Sequence, residues 1–211
     1  IFKKSLSDHF LQSLSRFWPK HLPERMEDFR NRFNHHLVIK AQGYGIEETR
    51  NYLKDQGPDK KLGWFECTPH EAKLAILHRF VAAGAAIRYQ SIHFSEVEEI
   101  IALDIALRRN DQDWFESLPD ELSSAISHKL YYGHFFCHVL HQDYVIKKGF
   151  NANLIKAKML KTLDQRGARY PAEHNVGNLY QASGEQADFY RQCDPTNTFN
   201  PGIGRMSKKK H

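Results

Sequence analysis

A chain of 211 residues with 41% hydrophobic and 12% aromatic residues can bury a core, which excludes global disorder. Its net charge of +5 favours anionic partners without choosing among nucleic acid, anionic lipid and an acidic substrate. No run of about 18 apolar residues is present, so no spanning helix is expected. The odd count of three cysteines (Cys67, Cys137, Cys193), none in a C-x-x-C pair, argues against a disulfide framework and for a reducing compartment.

Residues 4–18 read as an amphipathic helix, with Phe10, Leu11, Leu14, Phe17 and Trp18 at helical spacing and Pro19 as the stop. Pro23 opens a second helical pattern carrying Met26, Phe29 and Phe33. His36–Ala41 reads as a strand, Ile46–Leu53 as a short helix and Leu62–Cys67 as another strand. Thr68-Pro-His-Glu71 has the form of a capping box with proline in the first turn, and predicts a helix over roughly 69–87. Ile100–Leu107 and Tyr131–Ile146 are strand-like. Asn153–Arg166 is a basic amphipathic helix ending at Gly167. Ser183-Gly-Glu-Gln186 has the form of a second capping box, opening a helix that Pro195 terminates. The expected class is α+β, a mostly antiparallel sheet covered by helices.

Charge is uneven along the chain. Residues 1–40 hold eight Lys/Arg against four acids, and the tail after Met206 is basic again. A basic helix with Phe17 and Trp18 at its end suits an anionic lipid surface. The bland alternative is a solvated basic face beside a core-facing stripe. A nucleic-acid role is not expected, because the basic residues are not interleaved with aromatic ones.

Two stretches carry candidate chemistry. His134-Phe-Phe-Cys-His138-Val-Leu-His141 holds three histidines within eight residues. On a helix all three share one face in a zinc-like arrangement. On a strand, which the surrounding aromatic and β-branched residues prefer, His134 and His138 share a face and His141 takes the other. Only a break near residue 136 brings His134 and His141 together. In Tyr170-Pro-Ala-Glu173-His174-Asn-Val-Gly177, a histidine beside a carboxylate is either a base poised near neutral pH or half of a loop salt bridge.

Ala-Glu173-His174-Asn-Val-Gly, followed by Asp194-Pro-Thr-Asn-Thr-Phe-Asn-Pro-Gly-Ile-Gly204, resembles the C-terminal end of FAD-linked oxidases of the vanillyl-alcohol-oxidase type. H-R-F-V-A-A-G-A-A-I-R-Y, A-L-D-I-A-L-R-R-N-D, H-K-L-Y-Y-G-H-F-F-C and H-Q-D-Y-V-I-K-K-G are similar to one branch of them, the bacterial quinone-dependent D-lactate dehydrogenases. The main FAD-binding loops of that family are not visible here, and Gly43-Tyr-Gly45 is only a fragment of a glycine fingerprint. Together with the opening on Ile1 rather than methionine, this implies a C-terminal piece that is inactive by itself.

The resemblance implies a membrane-binding segment over 1–32 and a cap or substrate domain over 33–164, with helix 69–90 adding to the membrane-binding face. Residues 165–211 would return into the FAD domain. It implies His174 as general base toward the substrate 2-hydroxyl, Arg79 as the group that holds the substrate carboxylate, and Asn200 as a cofactor contact. His134, His141 and Glu173 would bind a divalent metal. Relatives with that metal carry a glycine-rich turn between their two histidines. Here the turn is Phe135–Leu140, and His138 is either a substitute ligand or a packed residue. The implied cofactor is FAD, and the implied partners are D-lactate, membrane quinone and anionic phospholipid, at the cytoplasmic face of the bacterial inner membrane. Two alternatives from other classes are a non-catalytic lipid-binding module and a hydrolase built on a metal at His134, His138 and His141.

Overall fold

The computed structural model describes residues 6–56, 62–113, 116, 118–135, 139–171 and 181–210, without the side chain of Arg16. The chain divides into two compact units, Ile1–Ala85 and Ala86–His211.

The first unit is helical. Its elements are α1 (Leu6–Leu14), continued by a 3-10 turn at Ser15–Phe17, then α2 (Glu24–Arg32), α3 (Gly45–Asp55) and α4 (Pro69–Ala83). The expected capping box at α4 forms in full. The Glu71 N–H donates to Thr68 Oγ1 at 3.3 Å, and the Thr68 N–H donates back to Glu71 Oε2 at 2.8 Å. Arg25 of α2 adds a forked pair to the same carboxylate, with Nε at 2.8 Å and a terminal nitrogen at 2.5 Å. That guanidinium also donates to the Glu66 carbonyl at 3.2 Å and lies 4.6 Å from the Phe65 ring centroid. Phe65 packs edge-on against Phe29, centroids 4.7 Å apart, and Phe29 lies 5.2 Å from Phe33. The Phe33 ring sits so close to Gly63 that a Cβ there would stand 2.5 Å from it.

Among the described residues of this unit, the one buried residue is Glu71. Large apolar side chains are exposed instead, including Phe10, Phe17, Trp18 and, along α4, Ile76, Phe80 and Val81. The unit thus has a charged clamp at its centre and no buried apolar side chain of its own among the described residues.

Three expectations need correction here. His36–Ala41 and Leu62–Cys67 are not strands. A strand exists only with a hydrogen-bonded neighbour, and neither segment finds one, so β-propensity alone does not decide. The helix expected over 69–87 ends at Ala83, capped by Gly84, and a separate helix α5 (Ala85–Ile92) follows.

The second unit, taken from Ala86 onward, carries the sheet: β1 (Val97–Ala106), β2 (Ile126–His134) and β3 (Val139–Lys147), antiparallel in the order β1-β3-β2. Helices α6 (Asp120–Ala125) and α7 (Ala152–Gln165) accompany it, and α8 (Gly184–Cys193) follows. One sheet face builds the core. Ile101, Leu103 and Ile105 of β1 and Tyr144 and Ile146 of β3 pack with Leu122 and Ala125 of α6 and Ile155, Met159 and Leu163 of α7. The α7 spacing is that of a helix face. Asn151 caps α7 by accepting the Leu154 N–H at 3.1 Å, and Gly167, at φ +69°, ends it in the left-handed conformation.

A polar island sits in this core. Buried Glu116 accepts the Tyr144 hydroxyl at 2.7 Å and the Tyr131 hydroxyl at 2.9 Å, with Lys129 Nζ at 3.3 Å. Burial first, and then the Glu116 charge, raise both phenols well above the ordinary tyrosine range, so both stay protonated donors.

Three outcomes follow for stability. Thr68→Ala is expected to cost about 1 kcal/mol of local stability, read as lost hydrogen-exchange protection of α4 amides in the full chain. Glu71 has its pKa lowered to about 2 by the Arg25 hydrogen bonds and then by the Thr68 N–H. Its contribution is therefore complete above its ordinary value of 4.5 and is lost as pH falls toward 2; Glu71→Gln removes this acid limb from the α4 protection profile. In the second unit, Tyr144→Phe leaves Glu116 short of a buried donor and is expected to cost about 1–3 kcal/mol in a denaturant melt.

Candidate functional site

Side chains alternate across a strand, so the sheet has a second face. In the ladder, His141 of β3 lies opposite Tyr132 of β2 and Asp104 of β1, Asp143 lies opposite Leu130 and Ala102, and His134 lies opposite Val139. Asp104, Tyr132, His134, His141 and Asp143 therefore share the face away from the core. Near Val145 the Tyr89 ring of α5 is 4.7 Å from His128.

The break near residue 136 that would bring His134 and His141 together is present. β2 ends at His134 and β3 begins at Val139, so the two histidines become diagonal neighbours on one face. Their ring centroids are 5.5 Å apart and the rings are nearly perpendicular, at 84°. Gly133 permits this approach, since a Cβ there would stand 2.4 Å from the Val139 carbonyl oxygen. His138 lies outside the described residues.

His141 Nδ1 is 2.6 Å from Asp104 Oδ1, and both side chains are largely buried. A carboxylate can only accept, so Nδ1 donates this hydrogen bond. Beside this pair the Tyr132 hydroxyl donates to Asp143 Oδ2. Burial first, with the neighbouring Asp104 charge adding to it, raises the Asp143 pKa, while the Tyr132 hydrogen bond opposes the shift. Neither aspartate is paired with a lysine or arginine among the described residues.

Two perpendicular imidazoles converge on one face, and two poorly solvated carboxylates stand behind them with no cationic side chain. No group of three His, Cys, Asp or Glu able to hold a metal exists among the described residues, and Glu173, expected as the third ligand, lies outside them. His174 lies outside them too.

Arg79 is exposed on α4 of the first unit, its guanidinium 4.9 Å from the Phe80 ring centroid. Asn200 lines an open groove of about 160 Å³ with Tyr190, Arg191, Phe199, Ile203 and Met206. The loop that carries it is held by two neighbours in the same motif. Asp194 accepts the Phe199 N–H at 2.8 Å, and backbone N–H groups, that of Thr198 first, hold its carboxyl below the ordinary range. Asn197, at φ 50°, donates to the carbonyls of Ser207 and Lys209 at 2.7 and 2.8 Å. The two free cysteines among the described residues are Cys67 and Cys193.

Asp104, Tyr132 and Asp143 were not anticipated from sequence. The available signal was a lone carboxylate inside an apolar alternating run (Ile-Ile-Ala-Leu-Asp104-Ile-Ala), which in a strand must face either solvent or a partner.

The whole chain, residues 1–211, matches the family described as "D-lactate dehydrogenase, membrane binding". It is similar to the quinone-dependent D-lactate dehydrogenase of Haemophilus influenzae, 58% identical over 98% of this chain and 37% of the relative. The Escherichia coli enzyme of the same name is 52% identical over 100% of this chain and 37% of its own length. That of Corynebacterium glutamicum is 40% identical over 98% of this chain and 36% of its own. The chain thus spans a little over a third of the length of the curated relatives it matches, and by the match over all its residues it belongs to the membrane-binding D-lactate dehydrogenase family.

Proposed function

We propose that the chain is the membrane-binding and cap portion of a flavoprotein that oxidises D-lactate to pyruvate and passes the electrons through FAD to membrane quinone. The observation that carries this reading is the continuous 58% identity to a quinone-dependent D-lactate dehydrogenase over nearly the whole chain. By role, residues 1–32 are the lipid-facing segment, 33–164 the cap, with 69–90 adding to the lipid face, and 165–211 the return into a flavin-binding domain.

The chemistry of this chain falls to a few side chains. His174, as a neutral imidazole, accepts the 2-hydroxyl proton of D-lactate. Arg79 pairs with the substrate carboxylate, a task suited to a guanidinium. His134, His141 and Glu173 would hold a divalent metal that polarises the hydroxy acid. Asn200 contributes a contact to FAD, which serves as the hydride acceptor.

The first unit supports a peripheral lipid-binding role. Its exposed Phe10, Phe17 and Trp18 can enter the headgroup region, and no helix among the described residues is long and apolar enough to cross a membrane. Several basic residues there already face acids: Lys20 and Arg30 on Glu27, Arg25 on Glu71 and Arg32 on Asp28. The apolar contribution therefore matters alongside charge. Binding is read as attachment to the cytoplasmic leaflet of the bacterial inner membrane.

Binding of the protein to anionic vesicles is expected to weaken as salt rises, and Phe17→Ser with Trp18→Ser should weaken it further, each buried aromatic ring contributing about 1.5–3 kcal/mol. Equal binding to neutral vesicles at all salt concentrations would refute the electrostatic part. In the full-length flavoprotein, His174→Ala should lower D-lactate turnover about 100- to 10,000-fold with flavin absorbance retained. Near-normal turnover would return Glu173-His174 to a loop salt bridge, and a full-length protein without visible flavin absorbance would favour the lipid-binding module.

A further inference from the structure

We infer that the stacked rings of His21 and His78 form a proton-sensitive latch within the first unit, closed while both are neutral and opened when they charge. The latch belongs to the fold of this unit and stands apart from the catalytic and lipid-binding roles proposed above. His21 lies in the connection between the 3-10 turn and α2, three residues after Trp18. Pro19 and Pro23 flank it, each with a φ fixed by its ring. His78 is on α4, and the two ring centroids are 5.4 Å apart with 25° between the planes. The segment that follows the exposed Phe17 and Trp18 is thus joined to α4 through two side chains that can each gain a proton.

The surroundings of His78 favour the neutral ring. Its Nδ1 is buried and has no hydrogen-bond partner. An imidazolium donates from both nitrogens, so a second proton would leave an unpartnered N–H there. The neighbouring charges are cationic: His21 and Arg30 of α2 both oppose a charge on His78, and Lys20 adjoins His21. Glu27 of α2 already accepts Lys20 at 2.6 Å and Arg30 at 3.3 Å. On α4 the positions one turn away, Leu74, Ala75, Val81 and Ala82, carry no charge. Burial first, then His21 and Arg30, lower the His78 pKa from its ordinary 6.5. The folded value lies below the ordinary one, so the latch contributes fully above pH 6.5 and loses strength as pH falls through 6.5 toward the lowered value. Glu71, with a pKa of about 2, keeps its charge throughout, so the Arg25 clamp adds no slope in this range.

The test is hydrogen exchange of the full-length protein at about pH 7.5 and about pH 5.5, read as protection factors corrected for the intrinsic exchange rate at each pH. In the wild type, protection of α4 and of residues 18–22 is expected to fall about 3- to 10-fold between the two conditions. About tenfold is the limit for one histidine that returns to its ordinary 6.5 on release. His78→Phe keeps a ring that can stack and cannot charge, so its protection should be the same at both pH values. Equal protection at both in the wild type, or a wild-type fall in His78→Phe, overturns the latch. Should His78→Phe already lack α4 protection at the higher pH, His21→Phe, at an exposed position, carries the comparison. Removing one of the two charges is then expected to halve the fall or better, and a fall as large as the wild type's overturns the latch.

Discussion

The second unit depends on the central position of β3. It is hydrogen-bonded to β1 on one side and β2 on the other, and its residues from Gln142 to Ile146 are all buried. Successive side chains must therefore satisfy opposite environments. Tyr144 and Ile146 enter the apolar core with α7, while His141 and Asp143 meet polar partners on the other face. A slip of one residue in register would drive Asp143 into the core and Tyr144 onto the polar face, so the hydrophobic pattern and the polar pairs enforce the same pairing. The Asp104–His141 bond is both a consequence of that register and a lock upon it.

The first unit is organised on another principle. Its centre is a carboxylate, Glu71, that closes a helix cap and receives a guanidinium from α2. Such a clamp sets geometry but supplies little of the stability that buried apolar area provides. The apolar side chains that would have formed a core lie along α1 and α4 in contact with solvent. A helical unit of this kind gains stability from whatever covers those side chains, and a lipid surface covers them without demanding shape complementarity.

The C-terminal motif shows how one stretch can carry both architecture and chemistry. In Asp194-Pro-Thr-Asn-Thr-Phe-Asn-Pro-Gly, the aspartate gathers backbone N–H groups and Asn197 ties down the tail through two carbonyls. Asn200, whose side-chain amide makes no hydrogen bond among the described residues, is the member of the motif left to face the groove. A family motif read only as a binding signature would credit all these residues with contact to a ligand, although two of them are occupied in holding the loop.

Local signals were legible in the sequence wherever the governing interactions are local. The Thr68 capping box, the end of α7 at Gly167, the Ser183 cap and the strand character of the segment from Ile100 depend on residues within a few positions of one another, and each appears in the structure. The seven-residue spacing of His134 and His141 was legible too, but whether they share a face was not, because that depends on where the chain reverses. Gly133 permits the reversal through a backbone contact that sequence spacing does not reveal. Residues 36–41 and 62–67 read as strands because β-branched and aromatic side chains tolerate extension, yet a strand is a pairwise object and no partner edge reached them. Asp104 and His141 are 37 positions apart and meet only through the β1–β3 ladder. Composition and periodicity thus determined which residues could form helices and strands, and only the tertiary structure decided which distant side chains share a face, because that choice is made by strand register and chain reversal rather than by local preference.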